Sequence, residues 1–152
     1  PKDGKNHGQS FVEWARRDGS EEAKVVGRGT GWEPCHPALY QEEKLVGVAP
    51  AYRKGNSEGE FVFDWSWAEL ASRVGVPYYP KLIFAVPFTP AAGGRVLVSK
   101  DVSRAAIIRA IAGAMPDILQ ELGAFGAHVL FPREAEAAEW AEDGFLPSLG
   151  VQ

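Results

Sequence analysis

The sequence predicts an α/β fold in which a mixed central sheet is flanked by helices. Segments that suit strands alternate along the chain with segments of helical periodicity. The stretch from Lys81 to Val86 is apolar at nearly every position, as expected of a strand buried on both faces. Seven apolar residues from Ile107 to Leu122 recur at helical spacing. These patterns indicate helices on the faces of one sheet.

The composition is that of one ordinary globular domain. A chain of 152 residues can bury roughly two-thirds of its unfolded surface, and its apolar (45%) and charged (24%) fractions are typical. No apolar run approaches the ~20 residues of a membrane-spanning helix, and the first ten residues lack the apolar core of a secretory signal. We therefore expect a cytoplasmic protein that does not enter a membrane.

Charge and metal-binding residue types exclude some partners. The net charge of −4 argues against nucleic acid as the main partner, because phosphate binding needs a basic face. Cys35 is the single cysteine and the three histidines are scattered, so neither a disulfide nor a metal site is predicted. Bases are concentrated between Arg95 and Arg109, where an anionic ligand would bind most readily.

The first residues of the chain are predicted to be loosely ordered. Residues 1–24 suggest a polar terminus and a short helix near residues 11–15, and residues 25–152 suggest the folded domain. Residues 37–53 read as a hairpin with a turn at 41–44. A strand at 60–63 precedes a helix that begins at Asp64 or Ser66, where Ser66 and Glu69 have capping-box spacing. Gly75 ends that helix.

The second half begins with the strand from Lys81 to Val86, which should be central. A strand follows at residues 95–99, and the long helix starts at Ser99 or Asp101. Pro116 should kink that helix or begin a second one, because proline lacks the N–H that a continuous helix needs. A strand at 127–131, a helix at 134–142 and an extended segment from Leu146 complete the order.

Aromatic residues are concentrated in residues 59–98, which hold eight of the chain's seventeen. Such crowding marks either a core or the wall of a pocket. Four of the eight lie on predicted strands and are expected in the core: Phe61, Phe63, Phe84 and Phe88. The other four lie at the ends of elements, where clefts form: Trp65, Trp67, Tyr78 and Tyr79.

The order of five motifs resembles the N-terminal half of the FemAB-like, GNAT-fold family of peptidoglycan biosynthesis or recognition. The motifs are GW-x-P-x-H at 31–36, LV-x-x-AP-x-Y-x-K at 45–54, GEFVFDW-x-W at 59–67, PYYPKLIFAVPFTPAAGGRVLV at 77–98 and HVLF at 128–131. The resemblance implies a GNAT-like sheet, acyl or aminoacyl transfer, and a family member about twice as long. Residues 25–152 would then be one of two lobes, completed by a second domain or as a homodimer.

The resemblance and the residues together suggest acid–base candidates. Asp64 and His36 are candidates for deprotonating an attacking amine, and Tyr78 and Tyr79 for serving the leaving group. Each has a structural alternative: Asp64 as a helix N-cap, His36 as a buried histidine, and the tyrosines as packing partners of the nearby tryptophans. For Cys35 and His128 the structural interpretation is favoured.

Binding candidates lie on either side of the central strand. Trp65, Trp67 and Lys81 are candidates for substrate binding, although Lys81 could equally point to solvent. Arg95, Lys100 and Arg104, beside the glycine-rich turn at 91–94, are candidates for the phosphates of an acyl-CoA or aminoacyl-tRNA donor. The alternative is a simple hairpin turn with bases on a helix surface.

Two functions remain open at this point. The first is an acyl- or aminoacyltransferase in which an amine attacks an activated acyl donor. The alternative is a non-catalytic recognition or assembly module, for which a homodimer is one form, that binds a peptide, a glycan fragment or a partner chain through its aromatic residues. Nucleic acid is not expected to bind this half alone.

Overall fold

The computed structural model describes residues 31–62 and 64–148, and it contains two sheets. The first has the order β1 (Glu33–Pro34), β4 (Ala51–Lys54), β5 (Lys81–Phe84) and β7 (Ala127–Val129). The second has the order β2 (Ala38–Gln41), β3 (Lys44–Val48) and β6 (Leu97–Val98). In the first sheet β4 pairs antiparallel with β1 and β5, whereas β5 and β7 are parallel. The mixed α/β class is therefore confirmed, and the finer GNAT-like arrangement stays a prediction.

Helices in the described residues are α1 (Trp65–Arg73), α2 (Arg104–Leu122) and α3 (Glu134–Glu142). As predicted, β5 lies inside its sheet, and its side chains alternate between two apolar clusters. Leu82 and Phe84 pack on one face with α2 and with Trp140 of α3. Ile83 packs on the other face with Trp32, Tyr52, Ala85 and Leu130. None of the described helices has the length and apolar character needed to cross a bilayer.

The predicted hairpin is correct in its first arm and turn, but its second arm divides at Pro50. Residues before Pro50 form β3 in one sheet, and residues after it form β4 in the other. Proline cannot donate to a ladder, so the chain leaves one sheet and enters the next at this residue. Ala49 N donates to Pro37 O (3.0 Å) just before the break.

The predicted strand at 60–63 does not form in its described part. Phe61 has a φ of 57°, a left-handed conformation that ends any extended run, and Phe63 is outside the described residues. Phe61 and Phe88, which were expected in the core, are 48% and 46% exposed, whereas Phe84 is fully buried as expected. Phe61 and Phe88 both have positive φ values, so each lies where the backbone turns, and about half of each side chain stays exposed.

Of the two alternatives predicted at Pro116, a kink or a second helix, the second helix does not form, because α2 runs through this proline. Ile111 and Met115 are buried before Pro116, and Ile118 and Leu119 pack on the same core after it. Apolar contacts on both sides thus offset the missing hydrogen bond. The helix predicted near residues 11–15 and the boundary at residue 24 lie outside the described residues.

Candidate functional site: a buried lysine between two carboxylates

Lys81 begins β5 and is the centre of a buried polar cluster. Its side chain is 1% exposed, on the same face of the sheet as Ile83. The ammonium donates to Glu60 Oε2 (2.8 Å), Ser57 Oγ (2.9 Å) and Asp64 Oδ2. All three N–H donors are thereby used, so Lys81 is a cation held by the protein itself. Its predicted role in binding substrate stays a prediction.

Asp64 occupies the N-cap position of α1 without capping it. Its side chain makes no hydrogen bond to the first turn of the helix. Instead, Asp64 Oδ2 accepts from Lys81 and from the Tyr78 hydroxyl (2.7 Å). The capping box predicted for Ser66 and Glu69 is also not formed, because the helix begins earlier, at Trp65. The carboxylate therefore serves the cluster rather than the helix end, although its charge still suits the helix dipole.

Glu60 and Ser57 reach the cluster from the loop between β4 and α1. Gly59, with a φ of 75°, allows this path. A Cβ at Gly59 would lie 2.6 Å from Phe88 Cδ1, so only glycine fits against that ring. The ring of Phe88 rests in turn on Trp32, at a centroid distance of 5.5 Å. This contact fixes the loop that carries two of the three acceptors of Lys81.

Tyr78 and Tyr79 form the partly exposed rim of the cluster. Their rings meet edge to face at 5.0 Å, and the Lys81 ammonium lies 5.2 and 5.3 Å from the two ring centroids. Tyr78 donates to Asp64, and the Tyr79 hydroxyl lies 2.6 Å from Ser57 Oγ. Each tyrosine hydroxyl thus connects the surface to the buried charged groups, Tyr78 through one hydrogen bond and Tyr79 through two.

The environment sets the ionisation of each carboxyl differently. Burial alone would raise the pKa of Asp64, but hydrogen bonds, led by that from Lys81, outweigh burial and hold this pKa below its ordinary value. Burial raises the pKa of Glu60, and Lys81 only partly opposes this effect. Burial and the hydrogen bond to Asp64 raise the pKa of Tyr78, so its hydroxyl stays protonated. Asp64 is the permanent anion of the cluster.

One oxygen of each carboxylate is buried without a hydrogen-bond partner in the described part of the chain. These atoms are Glu60 Oε1 and Asp64 Oδ1. A buried acceptor left unpaired costs about 1–3 kcal/mol, so such atoms call for a functional or structural explanation. They are consistent with a site that binds or relays a proton.

Lys54 lies opposite Lys81 on β4 and is also fully buried. Its ammonium donates to Glu58 O (2.7 Å) and lies 4.2 Å from the ring centroid of Trp32. Burial, and then the charge of Lys81, lowers the pKa of Lys54. Lys54 was not predicted as a site residue, although it is the last residue of the motif LV-x-x-AP-x-Y-x-K.

His36 and Cys35 lie at the opposite end of these strands. His36 is 1% exposed, and its Nδ1 accepts from Ala51 N (2.8 Å). It lines a mainly apolar cavity of about 240 Å³ with Tyr52 and Ala85. The structure therefore does not bring His36 to the Lys81 cluster, since β4 extends about 10 Å from Ala51 to Lys54. Burial raises the pKa of the Cys35 thiol to about 12, which makes it unreactive.

Trp65 and Trp67 are on the surface of α1, 68% and 62% exposed. The helix buries none of its residues. The two tryptophans therefore adjoin the cluster through Asp64, the residue before Trp65, without covering it.

The bases predicted to bind phosphate are in different environments. The Arg95 guanidinium is buried and donates to Leu130 O (2.6 Å) and Ala91 O (2.7 Å). Arg104 forms a two-pronged pair with Glu139 (2.6 and 3.0 Å), and Lys100 is exposed. Arg95 thus ties the glycine-rich turn to the end of β7, while the other two bases face solvent.

Sequence reasoning missed Ser57 and Glu60, which lie in a polar glycine-containing loop that reads as a solvated turn. The path of this loop depends on the contact between Gly59 and the ring of Phe88, and Phe88 is distant from the loop in sequence. Within residues 31–62 and 64–148, no three His, Cys, Asp or Glu side chains converge as a metal site would require.

Comparison with known proteins gives one family. A family model described as FemAB-like, peptidoglycan biosynthesis/recognition, matches residues 3–152. No curated protein and no solved structure is significantly similar to the chain. Because the match spans far more than half of the sequence, the chain belongs to the FemAB-like family, and this membership supports a role connected with peptidoglycan.

Proposed function

We propose that the protein transfers an acyl or aminoacyl group from an activated donor to an amine of a peptidoglycan precursor. Family membership supports the link to peptidoglycan, and the two tyrosines above Lys81 support the transfer. Amide formation needs one group that accepts an N–H of the amine and another that donates to the carbonyl oxygen as it gains charge. Tyr78 would supply the acceptor and Tyr79 the donor.

Tyr78 is the acceptor of the pair. The Tyr78 hydroxyl donates a hydrogen bond to Asp64 Oδ2 (2.7 Å). The lone pairs of the Tyr78 oxygen therefore point away from Asp64. An amine at the rim can donate an N–H to them. Because its pKa is raised, Tyr78 remains a neutral phenol while it does so.

Tyr79 is the donor of the pair. Ser57 Oγ accepts from the Lys81 ammonium at 2.9 Å and lies 2.6 Å from the Tyr79 oxygen. In the proposed arrangement the Ser57 hydroxyl donates to Tyr79, which is one of the two directions that this contact allows, so that the phenol proton of Tyr79 points outward. Hydrogen bonds in such a chain polarise one another, so the buried ammonium strengthens the outer donor. That donor would stabilise the oxyanion of the tetrahedral intermediate.

The observation that carries this proposal is the inward hydrogen bond from Tyr78 to Asp64. Asp64 stands where an N-cap residue would satisfy its own helix, yet its carboxylate binds Tyr78 and Lys81. Capping is worth about 1 kcal/mol, so the protein forgoes this stabilisation to hold an anion under the rim. Polar groups at functional sites commonly break local structural rules in this way.

The donor site is proposed at the start of α2. Acyl-CoA and aminoacyl-tRNA both carry phosphates; Lys100 is exposed there, and Arg104 would have to exchange its pairing with Glu139 for a phosphate. Arg95, buried beneath the adjoining turn, would hold the backbone against which the phosphates rest.

The test is a transfer assay with acetyl-CoA or a panel of aminoacyl-tRNAs as donor and a muropeptide with a free amine as acceptor. Mass spectrometry should show the amide product with wild-type protein. Tyr79→Phe should lower kcat by about 10²–10³-fold, the usual effect of losing one oxyanion donor. Tyr40→Phe, on the β2 hairpin, is the matched control and should keep the wild-type rate. Failure of wild-type protein to form amide with any donor would overturn the proposal.

A second candidate function is supported by α1 itself. Trp67, Leu70 and Val74 recur at i, i+3 and i+7 and are all exposed, which is typical of a face that meets a partner. The protein would then recognise a peptidoglycan fragment through this stripe, or assemble as a homodimer by pairing α1 with its copy.

Cosedimentation with purified peptidoglycan and light scattering distinguish this candidate. Trp67→Ala should abolish binding or dimerisation, whereas Arg73→Ala on the polar side of α1 should not. A wild-type protein that stays monomeric at high concentration and does not cosediment contradicts it.

A further inference from the structure

The buried position of Asp64 separates it from any incoming amine. One oxygen, Oδ2, already accepts from Lys81 and Tyr78, and the other is sealed from solvent. A general base must come within hydrogen-bond reach of the proton that it takes. The base of the proposed transfer must therefore stand at the rim of the cluster rather than inside it.

His128 is a rim group that the proposed function has not used. It lies on β7 opposite Ile83 of β5, and so on the face of the sheet that carries Lys81. Its ring lies edge to face on Tyr78 at a centroid distance of 6.0 Å. The side chain is partly exposed, and it makes no hydrogen bond within the described residues.

The Nε2 atom of His128 lies above Gly126. A Cβ added to Gly126 would stand 3.8 Å from it, so the glycine leaves open space beside this nitrogen. The space lies on the side of the sheet that carries Lys81, whose ammonium is 5.2 Å from the ring centroid of Tyr78. An amine bound to Tyr78 would thus have a basic nitrogen as its neighbour.

We propose that His128 is the general base that accepts the proton lost by the acceptor nitrogen during transfer. This inference rests on the proposed function and names the residue that completes it. The neutral amine attacks the acyl carbon, forming the C–N bond, and the nitrogen then gives its excess proton to His128 Nε2. As the bond from the acyl carbon to the donor sulfur or oxygen breaks, the imidazolium returns that proton to the leaving group.

The charges around His128 suit this role. Lys81 faces it from β5, Asp64 from the start of α1, and Tyr78 from the segment before β5. Burial, and then the positive charge of Lys81, lowers the pKa of His128, and Asp64 only partly opposes them. The imidazole is therefore neutral at neutral pH, which is the form a base requires.

The test uses the muropeptide transfer assay described above with His128→Ala, His128→Asn and Gly126→Ala. His128→Ala should lower kcat by about 10²–10⁴-fold with little change in KM, and added imidazole should restore part of the rate. Gly126→Ala keeps the imidazole but places a methyl group beside Nε2, and it should lower kcat about tenfold or more. Wild-type kcat/KM should fall as pH is lowered through the pKa of His128, below the ordinary histidine value.

The outcomes separate the two proposals. Transfer by His128→Ala or His128→Asn at the wild-type rate overturns the role of His128 and leaves the transferase proposal intact. An inactive His128→Ala that imidazole does not rescue, with Gly126→Ala at the wild-type rate, also overturns it, because the loss is then structural. No transfer by wild-type protein with any donor overturns both. His7→Asn, which removes a histidine outside the described residues, is the control.

Discussion

Lys54 and Lys81 stand directly opposite each other on β4 and β5, and both are fully buried. Like charges at paired positions oppose sheet formation, so each lysine needs its own compensation. Lys81 has two carboxylates, whereas Lys54 has a backbone carbonyl and an indole ring. The pair therefore divides into one lysine held by carboxylates and one lysine held by uncharged groups.

Replacing each lysine by methionine should show this division. Lys81→Met leaves Glu60 and Asp64 buried without their cation, and the free energy of unfolding should fall by about 3–5 kcal/mol. Lys54→Met removes a repulsive charge as well as two hydrogen bonds, to Glu58 O and Asn56 Oδ1, and should cost no more than about 2 kcal/mol. Urea denaturation measures both. Equal losses for the two variants would contradict the division.

Asp64 and Glu60 should respond to pH with opposite sign. The pKa of Asp64 is lowered below 3.8, so its stabilising effect is present above this value and disappears as pH falls through the folded pKa. The pKa of Glu60 is raised above 4.5, so its contribution is present at low pH and is lost as pH rises through the folded pKa.

We therefore expect that between about pH 3 and pH 8 the two variants diverge. As pH rises, Asp64→Asn should lose stability relative to wild-type protein, and Glu60→Gln should gain it. Denaturant midpoints measured across this range test the signs. Parallel curves for the two variants would show that the carboxyls share one environment, against the structure.

Gly59 should tolerate no side chain. Gly59→Ala places a methyl group 2.6 Å from the Phe88 ring at a φ of 75°, and should cost about 2 kcal/mol or more. Gly113→Ala is the matched control, because Gly113 lies in α2 with open space around it. That variant should gain up to about 1 kcal/mol of stability. Thermal unfolding that ranks the two variants the other way would refute the close contact.

Replacing Arg95 should destabilise the fold more than replacing Arg104. Arg95→Met leaves four carbonyl oxygens without the guanidinium that binds them and removes the positive charge beside Glu136, although Glu136 keeps its hydrogen bonds from the backbone N–H of residue 95. The melting temperature of this variant should therefore fall well below that of wild-type protein. Arg104→Met breaks a partly exposed pair with Glu139 and should cost no more than about 1 kcal/mol. Comparable melting temperatures for the two variants would argue against the structural role of Arg95.

Local signals predicted much of the fold. The apolar run that begins at Lys81 predicted the inner strand, and the helical period predicted α2 through Leu122. The hairpin divides at Pro50 whereas α2 continues through Pro116, because tertiary contacts decide whether a proline ends an element. Ser66 and Glu69 indicated a cap, but α1 begins at Trp65, and Asp64 at its N-cap position binds Lys81 instead of the helix.

The candidate site was predictable where its residues lie close together in sequence. Asp64, Tyr78, Tyr79 and Lys81 were all singled out from the sequence, and the structure brings them together. Glu60 and Ser57 were not, because their burial follows from a loop that closes on the distant ring of Phe88. His36 was placed with the site on the basis of residue type, which carries no information about distance.

The most direct test of the transferase account is the rate of amide formation by Asp64→Asn. The amide that replaces the carboxylate can still accept through its oxygen but carries no charge, so it holds the Tyr78 hydroxyl and the Lys81 ammonium less strongly. The rate with acetyl-CoA or aminoacyl-tRNA and the muropeptide should fall by about 10²-fold or more, measured where both proteins are folded. Asp117→Asn, at an exposed aspartate of α2 away from both proposed sites, should match wild-type protein. A folded Asp64→Asn that transfers at the wild-type rate would contradict the account.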